Sequence, residues 1–305
     1  MAEAPLFSVV IPCYNYGHWL ARAVDSVLAQ DGDDWELLVI NDGSTDNTDA
    51  VAARLRQNEP RLRYLTQPNR GVAATRNRGI DATTGRYLIF LDADDEMAPS
   101  ALGVYRELIA RNPEADLLAG AYRAITEDGR ERIRRTGTLA SSRRRRLRDY
   151  LFTKQLNFSN SAVAFRRRAF AQRRYPEALR SVEDIPVFAH VVATGEIAVT
   201  PALVAIAHRH RGSLRHNTDN ATAASEILLD ELFHPGTMPG WALACRRRYE
   251  TQHYLSRFRT CYLAGENARA LEFYQRAWRT GALRTLSRWS YLRKYLALRL
   301  SRRRH

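Results

Sequence analysis

The chain has 305 residues, of which 45% are hydrophobic and 26% charged. That balance excludes wholesale disorder and leaves room for one large domain or two smaller ones. The formal net charge is +14, carried almost wholly by arginine because Lys154 and Lys294 are the only lysines, and such a surface attracts anions: phosphates, nucleotides or acidic headgroups. Cys13, Cys245 and Cys261 are odd in number and far apart, without CxxC or zinc spacing, which argues for structural thiols in a reducing compartment. The N-terminus, MAEAPLFSVVIPCYN, has no basic region ahead of its short apolar run. No segment reaches the roughly eighteen apolar residues of a membrane span. The expected location is cytoplasmic, with peripheral attachment to the cytosolic face of the inner membrane left open.

In chain order, FSVVI (7–11) is a short β-rich run ended by Pro12. HWLARAVDSVLAQ (18–30) sets Leu20, Val24, Val27 and Leu28 at helical spacing. ELLVIN (36–41) is a second apolar strand, and Thr45-Asp46-Asn47-Thr48 supplies a cap for a helix running to about Gln57. RLRYLT (61–66) reads as a third strand, 71–82 as a helix, and RYLIFL (86–91) as a fourth strand. Alternating β and α units with near-continuous apolar strands predict a parallel sheet covered on both faces, with ligands bound beyond the carboxyl ends of the strands. Farther on, 117–125 and the residues from Arg130 form a hairpin around Asp128-Gly129. The basic run SSRRRRLRDY (141–150) reads as a solvated loop and helix start. Beyond residue 220 the pattern is purely helical, and the pair around Gly265 resembles a tetratricopeptide-type helical hairpin. The expected division is 1–218, in halves 1–97 and 98–218, followed by a basic helical region, 219–305.

Two acidic clusters fall at the expected ligand edge. NDGSTD (41–46) combines an acid, a flexible glycine and a helix start, whose free N–H groups suit an anion; alone it is also a common turn and cap. FLDADD (90–95) ends a buried strand in carboxylates, and an unpaired buried carboxylate is costly. Asp92 and Asp94 can reach two parts of one ligand, and a Mg2+ or Mn2+ ion shared with substrate phosphates would neutralise them.

Four blocks in order, SVVIPCYNYGHWLARAVDSVLAQ, WELLVINDGSTDNT, QPNRGVAATRNRG and GRYLIFLDADDEM, resemble the nucleotide-sugar half of a family 2 glycosyltransferase of the bacterial cell-surface polysaccharide type. The likeness covers about 7–97 and reaches 215 more loosely. It implies an inverting enzyme of the GT-A fold, an α/β Rossmann-like mixed sheet flanked by helices, here with a helical extension. It also implies that Pro12, Tyr14 and Asn15 line the nucleotide pocket and that Asp42 accepts a hydrogen bond from the base. Asn69, Gly71 and Arg76 then stand beside the base and diphosphate. Asp92 and Ala93 go to the nucleotide sugar, and Asp94 to Mg2+ or Mn2+. Asp95 is open between supporting the site and capping a helix. Asp184 in SVEDIPVF resembles the family's general base, with Glu183 as the neighbour that orients it or raises its pKa. HRHRGS (208–213) resembles the closing Tyr-Arg-x-His-x-Gly-Ser segment, with His210 near the metal or diphosphate. Ala207 and His208 depart from that pattern, which leaves Arg209 or Arg211 to meet the diphosphate. NFSNSAVAF (157–165) sits where acceptor-lining segments fall.

The implied reaction moves a sugar from a nucleotide sugar, UDP-linked by preference, to a glycan or lipid-linked hydroxyl. In LRTLSRWSYLRKYLALRLSRRRH (283–305), Leu286, Trp289, Leu292, Leu296 and Leu300 recur at helical steps among arginines. This amphipathic helix lies either on an anionic membrane or on its own domain. The alternative function is a basic anion- or membrane-binding protein on an inactive α/β scaffold; a third is another nucleotidyl- or sugar-phosphate-transferring enzyme. Acids at the sheet edge repel phosphates in the absence of a cation, which argues against nucleic acid as the partner.

Overall fold

Apolar runs bounded by turns become the central strands of a computed structural model that describes residues 4–210 and 221–301. Strand β1 (Phe7–Cys13) leads through α1 (Gly17–Leu28) to β2 (Trp35–Asn41), and α2 (Thr48–Asn58) leads to β3 (Leu62–Thr66). Helix α3 (Val72–Ala82) then precedes β4 (Tyr87–Phe90). β1 pairs in parallel with β2 and β4, and β2 with β3. Every residue of β1 and β4 is buried, as a parallel sheet covered on both faces requires. Asp46 fixes the starts of two helices at once: its carboxylate accepts from the Thr48 N–H of α2 at 3.0 Å and the Gly17 N–H of α1 at 2.9 Å.

Past β4 the sheet changes character. β5 (Glu96–Met97), α4 (Ala101–Arg111), β6 (Leu117–Thr126) and β7 (Glu131–Arg134) are followed by α5 (Arg143–Arg148) and a π-helical turn, Asp149–Thr153. A 3-10 turn, Asn160–Ala162, then introduces β8 (Val163–Arg166), and α6 (Asp184–Thr194) introduces β9 (Ile197–Arg209). The strand order is β3-β2-β1-β4-β8-β6-β9-β5, with β7 paired to β6. β8 runs antiparallel to both β4 and β6, so the sheet is mixed. The segment Leu91–Asp95 leaves β4 and crosses to β5, which pairs antiparallel with β9. The acids after β4 are therefore stretched between the two halves of the sheet. The basic run at 141–150 forms α5, with Ser142 accepting from the Arg145 N–H at its start.

Contacts divide the chain into two compact units, 1–218 and 219–305. The second comprises α7 (Ala221–Leu232), α8 (Gly240–Leu243), α9 (Arg246–Leu263), α10 (Asn267–Leu286) and α11 (Trp289–Ser301). α9 and α10 form the hairpin, turned at Gly265 with φ +75°, and Phe258 meets Tyr274 edge-on at 5.4 Å. The single amphipathic helix expected from Leu283 is corrected here. α10 continues to Leu286 past a non-helical Gly281, and a new helix starts at Trp289. Tyr291 and Tyr295 decide the rotation of α11 by packing on Phe258 and Tyr274 at 5.8 and 4.1 Å. The expected apolar stripe is thus split between two helices, and Leu286, Trp289, Leu296 and Leu300 are left exposed.

Candidate active site

The carboxyl ends of β1, β2, β3 and β4 deliver the four blocks of residues to one edge. Pro12 is buried within β1, while Tyr14 just beyond it is 45% exposed. Asn15 adopts φ +58°, in the left-handed region; its Oδ1 accepts from the Thr45 N–H at 2.7 Å and its own N–H donates to Ser44 Oγ at 2.9 Å. These bonds tie the loop after β1 to the loop after β2. Gly43 has φ +75°, and a Cβ there would stand 2.7 Å from the Asn69 backbone nitrogen, so the glycine lets the loops after β2 and β3 touch.

Asp42 is buried, and both its oxygens are engaged within the protein. Oδ1 accepts from Gln67 Nε2 at 2.7 Å and the Arg70 N–H at 2.9 Å, and Oδ2 accepts from the Gly71 N–H at 2.8 Å. Gly71 supplies the φ of +89° that this turn requires. The direct task of Asp42 in this structure is to shape the 67–71 loop, leaving Asn69 exposed at its tip.

The loop after β4 alternates its side chains. Asp92 and Asp94 are half-buried, while Ala93 and Asp95 point inward. The Ala93 methyl group belongs to the hydrophobic core, which leaves its backbone as the part that can face a ligand. Asp95 is a buried bracket. Its Oδ2 accepts from Ser161 Oγ at 2.6 Å and its Oδ1 from the His208 N–H at 3.0 Å. Burial, reinforced by Asp92 and Asp94, holds its pKa well above the ordinary carboxylate range.

Asp94 Oδ2 lies 2.9 Å from His210 Nε2. Burial and then the Asp92 charge raise the Asp94 pKa, while His210 opposes the rise. A carboxylate and an imidazole beside a second carboxylate suit a divalent cation that takes its remaining oxygens from a diphosphate. Among the described residues no group of three or more His, Cys, Asp or Glu side chains could hold a metal, so the protein's own share would be these two.

Arg76, on α3, joins the two ends of the site. Its guanidinium is buried and donates to Asp92 Oδ1 at 2.8 Å and to Glu183 Oε1 at 2.6 Å, and it stands 5.3 Å from the centre of the Tyr175 ring. Burial alone would lower its pKa, but the two carboxylates outweigh that and leave it raised. Beside Glu183, Asp184 opens α6 half-buried. Burial first, then the Glu183 charge, push its pKa up to about 6, against the pull of Arg76.

Sequence reasoning passed over the side chains of α1 that face the end of β9. Trp19 stacks near His208 and His210, at 6.2 and 5.9 Å between ring centres, and Tyr16 meets His210 edge-on at 5.7 Å. Glu96 forms an ion pair with Arg22 at 3.2 Å and pairs with His208 Nε2 at 2.6 Å, while Arg22 donates to the Asp94 carbonyl at 2.8 Å. Two aromatic residues placed just after the β1 end were the available signal. The expected 157–165 segment supplies Ser161 and contributes Asn160, whose Oδ1 accepts from the Tyr175 hydroxyl at 3.0 Å. Arg211, Gly212 and Ser213 lie outside the described residues.

With this geometry in place, comparison with known proteins is decisive for the family. The profile of glycosyl transferase family 2 matches residues 8–174. The chain belongs to glycosyl transferase family 2. The succinoglycan biosynthesis protein ExoO of Rhizobium meliloti (strain 1021) is 32% identical over 244 residues, 74% of this chain and 69% of that protein. The uncharacterized glycosyltransferase YibD of Escherichia coli (strain K12) is 42% identical over 110 residues, 36% of this chain and only 31% of its own length. Among solved structures, residues 1–349 of Staphylococcus aureus TarS in complex with UDP-GlcNAc superpose with a TM-score of 0.71 at 20% identity, covering 98% of this chain and 91% of that one. The fold of this glycosyltransferase is therefore GT-A, with C-terminal helices.

Proposed function

We propose that this family 2 glycosyltransferase moves a sugar with inversion from a UDP-sugar to a hydroxyl of a glycan or lipid-linked acceptor, in cell-surface polysaccharide synthesis on the cytosolic side of an anionic membrane. The observation that carries this reading is the Arg76 bridge, which bonds Asp92 and Glu183 through one guanidinium. Asp92 belongs to the edge that suits a nucleotide sugar, whereas Glu183 neighbours a half-buried Asp184 with a pKa near 6. Inversion requires a base on the side of the sugar away from the leaving diphosphate, distinct from the groups that hold that diphosphate. Asp184, on a different element from Asp94 and His210, is the group assigned to this role. It takes the proton of the acceptor hydroxyl as that oxygen attacks.

Asp94 and His210 would hold Mg2+ or Mn2+ together with diphosphate oxygens, and the ion when bound supplies charge stabilisation to the departing diphosphate. Tyr14 and Asn69, exposed at the loop tips, contact the nucleotide, and Asp42 acts on it through the loop it holds. The UDP preference draws on the TarS complex with UDP-GlcNAc, and the polysaccharide context on ExoO.

Thermal shift with UDP-, GDP- and TDP-sugars, each with and without Mn2+, tests the donor and the metal together, because a ligand bound only to the folded state stabilises it by mass action. UDP-sugars should give the largest shift, and Mn2+ should enlarge it in the wild type but not in Asp94→Ala. Equal responses to all three nucleotides would rule out the UDP assignment. Normal metal-stimulated turnover by Asp94→Ala would rule out the metal assignment.

A further inference from the structure

The helical unit 219–305 contains a groove for which the transfer chemistry has no use. Gly281 leaves helical geometry inside α10, with φ −160° and ψ 75°, and the helix ends at Leu286 before α11 begins at Trp289. α11 then packs on α10 through the stacked rings of Tyr274 and Tyr295. Between the two helices lies a groove of about 330 Å³ lined by Tyr274, Trp278, Arg279, Leu286, Leu292 and Tyr295. Its volume is at the lower end of small-ligand sites.

Two further features specify the occupant. Large apolar side chains stand in water on these helices: Leu283 is 85% exposed, Trp289 70% and Leu300 62%. Glu272 is the last acid of the chain, and the residues after it include ten Arg or Lys and no Asp or Glu. Arg276 pairs with Glu226 and Glu272; leucine and tryptophan among the remaining cations match the boundary of an anionic bilayer, where tryptophan prefers the headgroup level and each basic residue adds about 1 kcal/mol. Nucleic acid would use the charges and leave the leucines in water. A second copy of this chain would bring like charge against like charge.

We propose that the α10–α11 groove and its rim are a docking surface for anionic phospholipid, with an acyl chain lying along Trp278, Leu286 and Leu292 and the headgroup phosphate held by Arg279. The membrane partner follows the reading of function above; the groove as its binding site goes beyond it. Docking would place the enzyme where a lipid-linked acceptor is presented.

The test is sedimentation of the full chain with vesicles of phosphatidylcholine alone or mixed with phosphatidylglycerol. The mixed vesicles should bind it at least about tenfold more tightly, given the energy per basic residue. Leu286→Asp and Leu296→Asp, both at exposed positions, should each weaken that binding about tenfold or more, as expected from a lost buried leucine. Thermal stability and the shift produced by UDP should remain as in the wild type. Leucine variants that bind like the wild type, with binding abolished by salt alone, would overturn the groove and leave only charge attraction. So would a wild type that light scattering shows to be dimeric and that becomes monomeric in Leu286→Asp. Failure to bind vesicles with an intact UDP response defeats this inference and spares the transferase reading; vesicle binding without any nucleotide response does the reverse.

Discussion

Asp184 and Arg76 make opposite demands on charge, and each yields a prediction at the residue scale. As the proposed base, Asp184 would act only when ionised, so kcat/KM should fall about tenfold per pH unit below its pKa of about 6. Asp184→Asn should lower kcat by roughly 10²–10⁴-fold with little change in UDP affinity. The same shift has a consequence for stability. An acid whose folded pKa lies above its ordinary value of 3.8 opposes folding once the pH exceeds that folded pKa, and not below the ordinary value. Asp184→Asn should therefore melt higher than the wild type at pH 8, with the difference fading toward pH 4; a difference constant with pH would contradict the half-buried, repelled carboxylate. Arg76→Met removes the partner of a buried Glu183 and should destabilise by about 3–5 kcal/mol in chemical denaturation. Adding Glu183→Gln should recover a large part of that loss, and full additivity of the two changes would show that the bridge is not a unit. The positions of Asp92 and Asp94 after a strand and of Asp184 at a helix start were legible because acids there stand out against apolar neighbours. The bridge was not, because its bonded residues Arg76 and Glu183 are separated by 107 positions and an inward arginine on an amphipathic helix leaves no periodic trace.

At the scale of elements, the parallel half of the sheet was legible strand by strand, since its buried runs are mostly apolar, with Ser8 in β1 and Glu36 and Asn41 in β2 as the polar exceptions. The second half was less so. β8 is four residues long and β5 only two, too short for a period to register, and their places are set by pairing partners rather than by composition. Asp95 is the residue that holds this half together, linking the 3-10 turn at Ser161 to the backbone of β9. Its raised pKa means that a neutral side chain is tolerated there. Asp95→Asn can still accept from the His208 N–H and can donate to Ser161 Oγ, so its stability at pH 7 should stay within about 1 kcal/mol of the wild type. Asp95→Ala leaves that buried N–H without its acceptor and should lose about 1–3 kcal/mol. Equal losses in the two variants, measured by urea denaturation, would show that the charge rather than the hydrogen-bonding shape is what matters. The break between α10 and α11 escaped the sequence for a related reason. Leu286-Ser287-Arg288 contains neither glycine nor proline, and the only breaker, Gly281, sits within the helix before it.

For the whole molecule, the two units have separate hydrophobic cores. That of the first unit is built on β1, β2, β4 and the helices against them, including Phe7, Leu20, Val39, Ile89 and Leu102. In the second unit Phe258 packs on Tyr274 and Tyr254 stacks on Phe273. Units that each have a core of their own can melt independently. The edge proposed to bind the donor is built from residues of the first unit, so UDP with Mn2+ should raise one melting transition and leave the other in place. At a hundredfold excess over Kd that stabilisation amounts to about 2.7 kcal/mol. Anionic vesicles should act in the complementary way, stabilising the transition that UDP leaves unmoved. Differential scanning calorimetry with each ligand separately distinguishes these outcomes. If both ligands moved a single common transition, the two units would form one cooperative body, and lipid binding at α10–α11 would then be thermodynamically linked to donor binding at the sheet edge.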